Sequence, residues 1–297
     1  MIQTINTMGD ERIGSTTNTE DDIADITSTA WLPDGVESII ACGSNNLVGV
    51  INEDTVLKYP NLPPTAASDI ETENERIYRI IREEQTSGLS IETLMFEALG
   101  LHPRIIRFKG KHSDGLLLEY AHKGSVSSYM DKDGALVSSQ MRLKWAMEAT
   151  EGVSEMHRRG VLHCNIHPNN MLLDNNLDVK LCDFQGKLLN LDGTVRLEGS
   201  SSEDAKSSMP RSDPNLATRK TDIFALGSAI YFIMKGHQPF EELDSFNDAE
   251  RIEMKFRLRQ FPCPDELLAG EVVYKCWTGD YDTAEEVEHN LKKIELA

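Results

Sequence analysis

The sequence predicts an α+β fold in which a strand-rich first part gives way to a mainly helical second part. Two patterns predict it. Between residues 36 and 58, three short apolar runs are parted by turn-forming residues, first Gly43-Ser44-Asn45-Asn46 and then Asn52-Glu53-Asp54. From residue 126 onward apolar residues recur at helical spacing. Over 139–159 they are Leu143, Trp145, Ala146, Ala149, Val153 and Met156, and Gly160 is a C-terminal stop. A third feature interrupts the helical part: a largely polar hexad, His163-Cys164-Asn165-Ile166-His167-Pro168, flanked by apolar runs. The 297 residues suffice for one two-lobed domain or two small ones, with ample chain for a core.

Taken in order, residues 36–42, 47–51 and 55–58 read as strands. Residues 71–84 read as a helix ending before Thr86-Ser87-Gly88, and a second helix follows in which Glu92, Met95, Phe96 and Leu99 share a face. Residues 105–111 and 116–120 are strands joined by Ser113-Asp114-Gly115. Helices are expected at 126–130 and 139–159. The alternating run 177–182 is a short strand, entered through the turn Asp174-Asn175-Asn176 and leaving Asp183 at its end. Residues 187–208 are polar, with several Ser and Thr. A helix over 222–234 ends at Gly236, and short helices follow at about 248–259, 272–277 and 283–295.

Composition narrows the function classes. The formal net charge of −19 opposes non-specific binding to nucleic acid and to anionic membranes, so neither is an expected partner. No window is apolar enough to span a bilayer, and residues 1–7 lack the charged start and apolar stretch of a secretory leader. Five scattered cysteines without C-x-x-C spacing (Cys42, Cys164, Cys182, Cys263, Cys276) read as free thiols of a reducing compartment, so a cytoplasmic location is expected. Residues 1–34 hold few large apolar groups and are expected to be mostly disordered, with the folded domain spanning 35–297.

The polar loop, the hairpin after it and an Asp at a strand end can place oxygen ligands near one point. Asn170 and Asp183 so placed suit a hard cation such as Mg2+, which takes oxygen ligands and bridges to phosphate.

This stretch resembles the catalytic and metal-binding loops of eukaryotic protein kinases, H-R-D-L-K-x-x-N followed by D-F-G. His163 matches the His, Asn170 the Asn, and Asp183-Phe184 the D-F. Asn165 stands where the family has its catalytic Asp, Cys164 replaces the Arg, and His167 replaces the Lys. Gln185 holds the Gly place, with Gly186 one step late. From about Gly35 the chain is similar to compact, acidic kinase-like proteins of fungi. Further matches follow in family order: Thr55-Val56-Leu57-Lys58 for V-A-I-K, Leu118-Glu119-Tyr120-Ala121 for the inter-lobe hinge, Met209-Pro210-Arg211 for A-P-E, and Asp222-Ile-Phe224-Ala225-Leu-Gly227 for D-x-W-S-x-G.

The resemblance implies a two-lobed protein-kinase-like fold, with a small β-rich lobe over 35–121, a larger mainly helical lobe over 122–297, and ATP with Mg2+ between them. It implies that Lys58 contacts nucleotide phosphates and pairs with Glu92. Glu83 and Glu84 remain alternatives, because the interval from Lys58 is long. Gly43 would cover phosphate, Glu119 and Ala121 would offer backbone groups to the base, and Asn170 and Asp183 would hold the metal. Asn165 and His167 would stand at the transfer step, and Asp222 would accept catalytic-loop amides. The plainer readings are a solvated lysine at Lys58, an ordinary hairpin at Gly43, and a buried strand running into a turn at Leu118–Ala121. By the same comparison, Arg211 is expected to pair with Asp280 or Asp282.

Three functions compete. The first is ATP-dependent phosphorylation of protein Ser/Thr, slowed because a neutral amide at Asn165 cannot take the proton that the family's Asp accepts. The second is a pseudokinase acting as a binding scaffold. The third is a small-molecule kinase, since His-x-Asn-x-His-Pro-x-Asn is similar to the H-G-D-L-H-P-x-N loop of aminoglycoside and choline kinase-like proteins. Those relatives lack the Asp222 helix and the Pro210 segment. The protein substrate or partner is not indicated by the sequence.

Overall fold

In the computed structural model, which describes residues 30–64, 72–264 and 266–296, a five-stranded sheet with one long helix leads into a larger helical lobe. The strands β1 (Ser38–Cys42), β2 (Asn46–Asn52), β3 (Thr55–Pro60), β4 (Phe108–His112) and β5 (Gly115–Glu119) are antiparallel, in the order β1-β2-β3-β5-β4. The register sets Val56 opposite Leu118 and Lys58 opposite Leu116. β3 is central and buried along its whole length. Its residues alternate between faces. Leu57 and Tyr59 join Ile39 and Leu47 in one cluster, and Val56 joins Leu116 and Leu118 in the main core.

The first face is capped by Trp31, edge-on to Tyr59 at 5.3 Å, with its indole N–H donating to the Pro60 carbonyl at 3.0 Å. Residues 30–34 therefore pack on the small lobe, ahead of the boundary that composition placed at 35. One aromatic side chain with a polar handle is enough to anchor so short a segment. Residues 1–29, the rest of the expected disordered extension, lie outside the described residues.

The long helix α1 (Glu73–Leu99) starts at a capping box, Thr72 with Glu75. The sequence reading of two helices parted near Thr86-Ser87-Gly88 is corrected here: the helix runs through them unbroken. The hydroxyls of Thr86, Ser90 and Thr93 bond to carbonyls one turn back, so these residues do not divert the backbone. Gly88 packs against the loop below, where an added Cβ would meet the Gln185 side chain at 3.4 Å.

In the large lobe, α2 (Val126–Asp133), α3 (Ser139–Arg158), α4 (Arg219–Lys235), α5 (Ala249–Arg257), α6 (Gly270–Thr278) and α7 (Ala284–Glu295) follow. α3 packs on α7 and α4, and α4 on α6. Every residue from Thr221 to Ile233 of α4 is buried, as expected of a helix apolar all round. Short strands β7 (Met171–Leu173) and β8 (Val179–Leu181) form a hairpin, and β6 (Val161–Leu162) pairs with β9 (Lys187–Leu189), which pairs with β10 (Val195–Glu198). The polar stretch 187–208 thus opens with a hairpin, too short and exposed to show a period-2 signature.

Candidate active site

β3 and α1 bring Lys58 and Glu92 together from 34 residues apart. The lysine ammonium donates to Glu92 Oε2 at 2.7 Å and to Asp183 Oδ1 at 2.5 Å. Glu92 is the residue that reaches Lys58; Glu83 is exposed and pairs with Arg79. Glu84 is exposed as well. Burial works against the lysine's charge, but the two carboxylates more than offset it and hold the ammonium protonated, above its ordinary range. Burial raises Glu92, whereas Asp183 is held below the usual carboxylate range by Lys58 against the pull of its own burial.

Asp183 sits at φ 65, a left-handed conformation that Asp tolerates. The turn sends Phe184 into the core, between Phe96 of α1 at 5.2 Å and His163 at 5.4 Å. Gly186 lies so close to the catalytic loop that a Cβ there would stand 2.0 Å from the Leu162 carbonyl oxygen. This explains a glycine one step late. Gln185, displaced into the preceding place, turns its amide toward Glu92 Oε2 and Asp183 Oδ1, at 3.4 Å from each.

The loop itself is held from beneath. Buried Asp222 accepts the backbone N–H of His163 at 2.8 Å and of Cys164 at 3.0 Å, and its Oδ2 lies 3.0 Å from His157 Nε2. Asn170 donates its side-chain amide to the Asn165 carbonyl at 3.0 Å, which leaves its own amide oxygen without a partner. The Asn165 side chain is half-buried and makes no hydrogen bond among the described residues. His167 is different. Its Nδ1 accepts the Asn169 N–H at 3.2 Å, and its Nε2 lies 2.5 Å from the Gln238 side-chain amide nitrogen, so both ring nitrogens are engaged. Burial also keeps the ring neutral, pushing its pKa down. Neither ring nitrogen contacts Lys58 or Asp183.

The protein kinase domain family matches residues 72–293, three quarters of the chain. The chain belongs to the protein kinase family. Lys58 and β1–β3 precede the matched stretch, and the fold sets them beside it. The serine/threonine-protein kinase PKH2 of Saccharomyces cerevisiae is 28% identical over 188 residues, which cover 58% of this chain and 17% of PKH2. PKH1 of the same yeast is 27% identical over 190 residues, covering 58% of this chain and 25% of PKH1. Mitogen-activated protein kinase kinase kinase 20 of Arabidopsis thaliana is 32% identical over 166 residues, covering 50% of this chain and 47% of that protein. The chain thus spans a quarter or less of the two yeast relatives.

In this kinase domain the connection after β5 has few free groups. The Glu119 N–H donates to the Arg107 carbonyl at 2.9 Å, and the Ala121 carbonyl accepts the Gly124 N–H at 3.2 Å. The Ala121 N–H has no partner among the described residues. The Glu119 carboxylate is turned aside to Lys180, at 3.2 Å. The first turn is a tight one, with the Gly43 N–H on the Asn46 carbonyl at 2.8 Å. Its tip is tied to α1 through Asn61, which donates to the Ser44 carbonyl at 3.1 Å and accepts from Gln85 at 2.7 Å. A cavity of about 850 Å³ lies elsewhere, lined by Arg107, Lys109, Glu119, Tyr120 and Lys180, and includes none of Lys58, Asn165, Asn170 or Asp183.

The expected pairing of Arg211 with Asp280 or Asp282 is corrected. Arg211 pairs with buried Glu203 at 2.7 Å and donates to the Pro214 carbonyl at 2.7 Å, while Asp282 pairs with Lys220. A carboxylate eight residues away in the same segment outcompetes one in a distant loop. Gln185, Gln238 and Glu203 were not singled out as site residues. Only Gln185 carried a signal, as an oversized residue at a glycine place.

Proposed function

We propose that this kinase-family chain binds ATP with Mg2+ between its lobes and transfers the γ-phosphate slowly to Ser or Thr of a protein. The supporting observation is Lys58 bridging Glu92 and Asp183 across the lobes. The donor set fits Mg2+: Asp183 Oδ2 and Asn170 Oδ1 are oxygens that accept no hydrogen bond. No group of three His, Cys, Asp or Glu able to hold a metal occurs among the described residues. The cation would therefore keep waters and phosphate oxygens for its other positions, as Mg2+ does. When bound, it neutralises charge on the phosphates.

The chain's own groups supply the rest. The Ala121 N–H is the open backbone donor for a base, and Gly43 lies in the turn over the phosphates. Lys58 is held protonated by its two carboxylates and can meet a phosphate as a point charge. Asn165 can accept a substrate hydroxyl's hydrogen bond through its amide oxygen but cannot take the proton. General-base catalysis typically contributes ~10² to 10⁴-fold, so the rate should be low. Its neutrality equally favours the scaffold reading. Scattered cysteines without C-x-x-C spacing support a reducing, cytoplasmic setting. No helix among the described residues is long and apolar enough to cross a membrane.

The experiment is thermal melting with and without millimolar Mg-ATP, followed by phosphotransfer to a generic protein substrate. At 100 times its dissociation constant a ligand stabilises the fold by about 2.7 kcal/mol. No shift, or an equal shift in Asp183→Ala, refutes the nucleotide reading. A shift with no transfer leaves the scaffold.

A further inference from the structure

Two lysines are buried among the described residues, Lys58 and Lys206, each 8% exposed. Lys58 has two carboxylates against it. Lys206 lies in the segment between β10 and α4, and among the described residues its ammonium makes no hydrogen bond and no ion pair. A covered cation without an anion is costly, and the missing anion can arrive with a ligand. We propose, resting on the protein-substrate reading above, that Lys206 pairs with a carboxylate of the substrate. The segment phosphorylated at this site then carries Asp or Glu within a few residues of its Ser or Thr.

Place, surroundings and overall charge support that partner. Lys206 is tied to the catalytic loop through two contacts. His167 of the loop meets Gln238 in the connection after α4, and Ser245 of the same connection donates to Asp204 Oδ1 at 3.0 Å. That oxygen also accepts the Lys206 backbone N–H at 2.8 Å. The lysine is thus held on the side of the loop where His167, two residues after Asn165, makes its contacts. The carboxylates nearby are committed elsewhere. Glu203 pairs with Arg211, Asp248 pairs with Arg251 and accepts the Asp244 N–H, and Asp204 is engaged as described. The Lys206 stem is covered, but its ammonium is not among the sealed polar atoms, so an incoming group can reach it. The net charge of −19 repels acidic segments at long range, so a preference for acid must arise at a local cation.

The test is binding of short fluorescent peptides to the full chain, read by anisotropy. The peptides share one serine and differ only in its flanking residues, which are Asp, Gln or Lys. Wild type should bind the Asp peptide about tenfold or more tighter than the Gln peptide. Lys206→Met, which keeps an apolar stem, should remove that difference, and Lys206→Glu should move the preference to the Lys peptide. A charge swap that restores binding is not an effect of altered packing. Where phosphate is transferred, the difference between peptides should lie in KM, with kcat little changed. Equal binding of the Asp and Gln peptides by wild type, tightest binding of the Lys peptide, or binding of none overturns the proposal, and these outcomes need no variant to fold. A preference for Asp that survives Lys206→Met in a variant with a wild-type melting curve places the cation elsewhere and overturns it too. Binding requires no transfer, so tight binding of the Asp peptide without phosphorylation of any peptide upholds the role of Lys206 and refutes the phosphotransfer reading alone.

Discussion

Glu203 and Arg211 form an ion pair at 2.7 Å inside the segment that links β10 to α4, with side chains only 6% and 14% exposed. Ser208 donates to the same carboxylate oxygen at 2.8 Å. The segment is therefore pinned by its own charges. Cys164, where many kinases hold a phosphorylated loop with an Arg, is buried with its thiol turned to the Leu162 carbonyl. Phosphomimetic changes at exposed Thr194 or Ser200 should alter activity less than twofold, in a phosphotransfer assay against wild type. A many-fold rise would sink this reading. Arg211→Met leaves Glu203 buried and unpaired, at a cost of about 3–5 kcal/mol, to be read from denaturant melts.

Gly88 tests the continuity of α1. A glycine inside a helix costs up to about 1 kcal/mol relative to Ala. The nearest neighbour of an added Cβ, at 3.4 Å, is the flexible end of Gln185. Gly88→Ala should therefore stabilise the protein by roughly 0.5–1 kcal/mol. Loss of stability would mean that the Gln185 side chain cannot move aside for the added methyl group.

That helix shows where sequence reading reached its limit. Order and spacing made the lobes legible: the three strands to Lys58, the periodic face of Glu92, Met95 and Leu99, and the buried run of α4 all lie where patterns placed them. The pairing of Lys58 with Glu92 is what the family resemblance implies, whereas the reach of Lys58 to Asp183, 125 residues on, shows only in the structure. The continuity of α1 was not legible, because Thr86-Ser87-Gly88 has a breaker's composition and tertiary contact overrides it. Nor was the turning of His167 toward Gln238, 71 residues on, which no local pattern encodes.

Asp222 should contribute to the acid limb of stability. Burial alone would raise its pKa, but His157 and His163 hold it below the usual carboxylate range. A carboxyl depressed in the folded state contributes stability that is complete above its unfolded pKa, near 3.9, and lost as pH falls through the folded value. Glu92 and Glu203, raised by burial, work in the opposite sense above about pH 4.3. Asp222→Asn should lower stability at pH 7 by about 2–4 kcal/mol. Its deficit against wild type should shrink as pH drops below about 3.9. A deficit independent of pH down to the acid transition would assign the loss to packing instead.

Asn165→Asp should raise phosphotransfer. The side chain makes no hydrogen bond, and the loop is held through the Asn165 carbonyl by Asn170 and through Asp222 below. The substitution therefore adds a carboxylate of nearly the same size without breaking a contact. Stability should stay within about 0.5 kcal/mol. A gain of tenfold or more in turnover corresponds to at least about 1.4 kcal/mol of barrier. The measurement pairs wild type and Asn165→Asp on one protein substrate, with Asp183→Ala as the control lacking a metal-binding carboxylate. A wild type already as fast as the Asp variant would show that Asn165 is no deficit. If both proteins bind Mg-ATP and neither transfers phosphate, the scaffold reading gains, and the Gln185 contact with Asp183 and the His167 ring tied to Gln238 become the next suspects. Gln185→Gly and His167→Lys, each combined with Asn165→Asp, then separate the two.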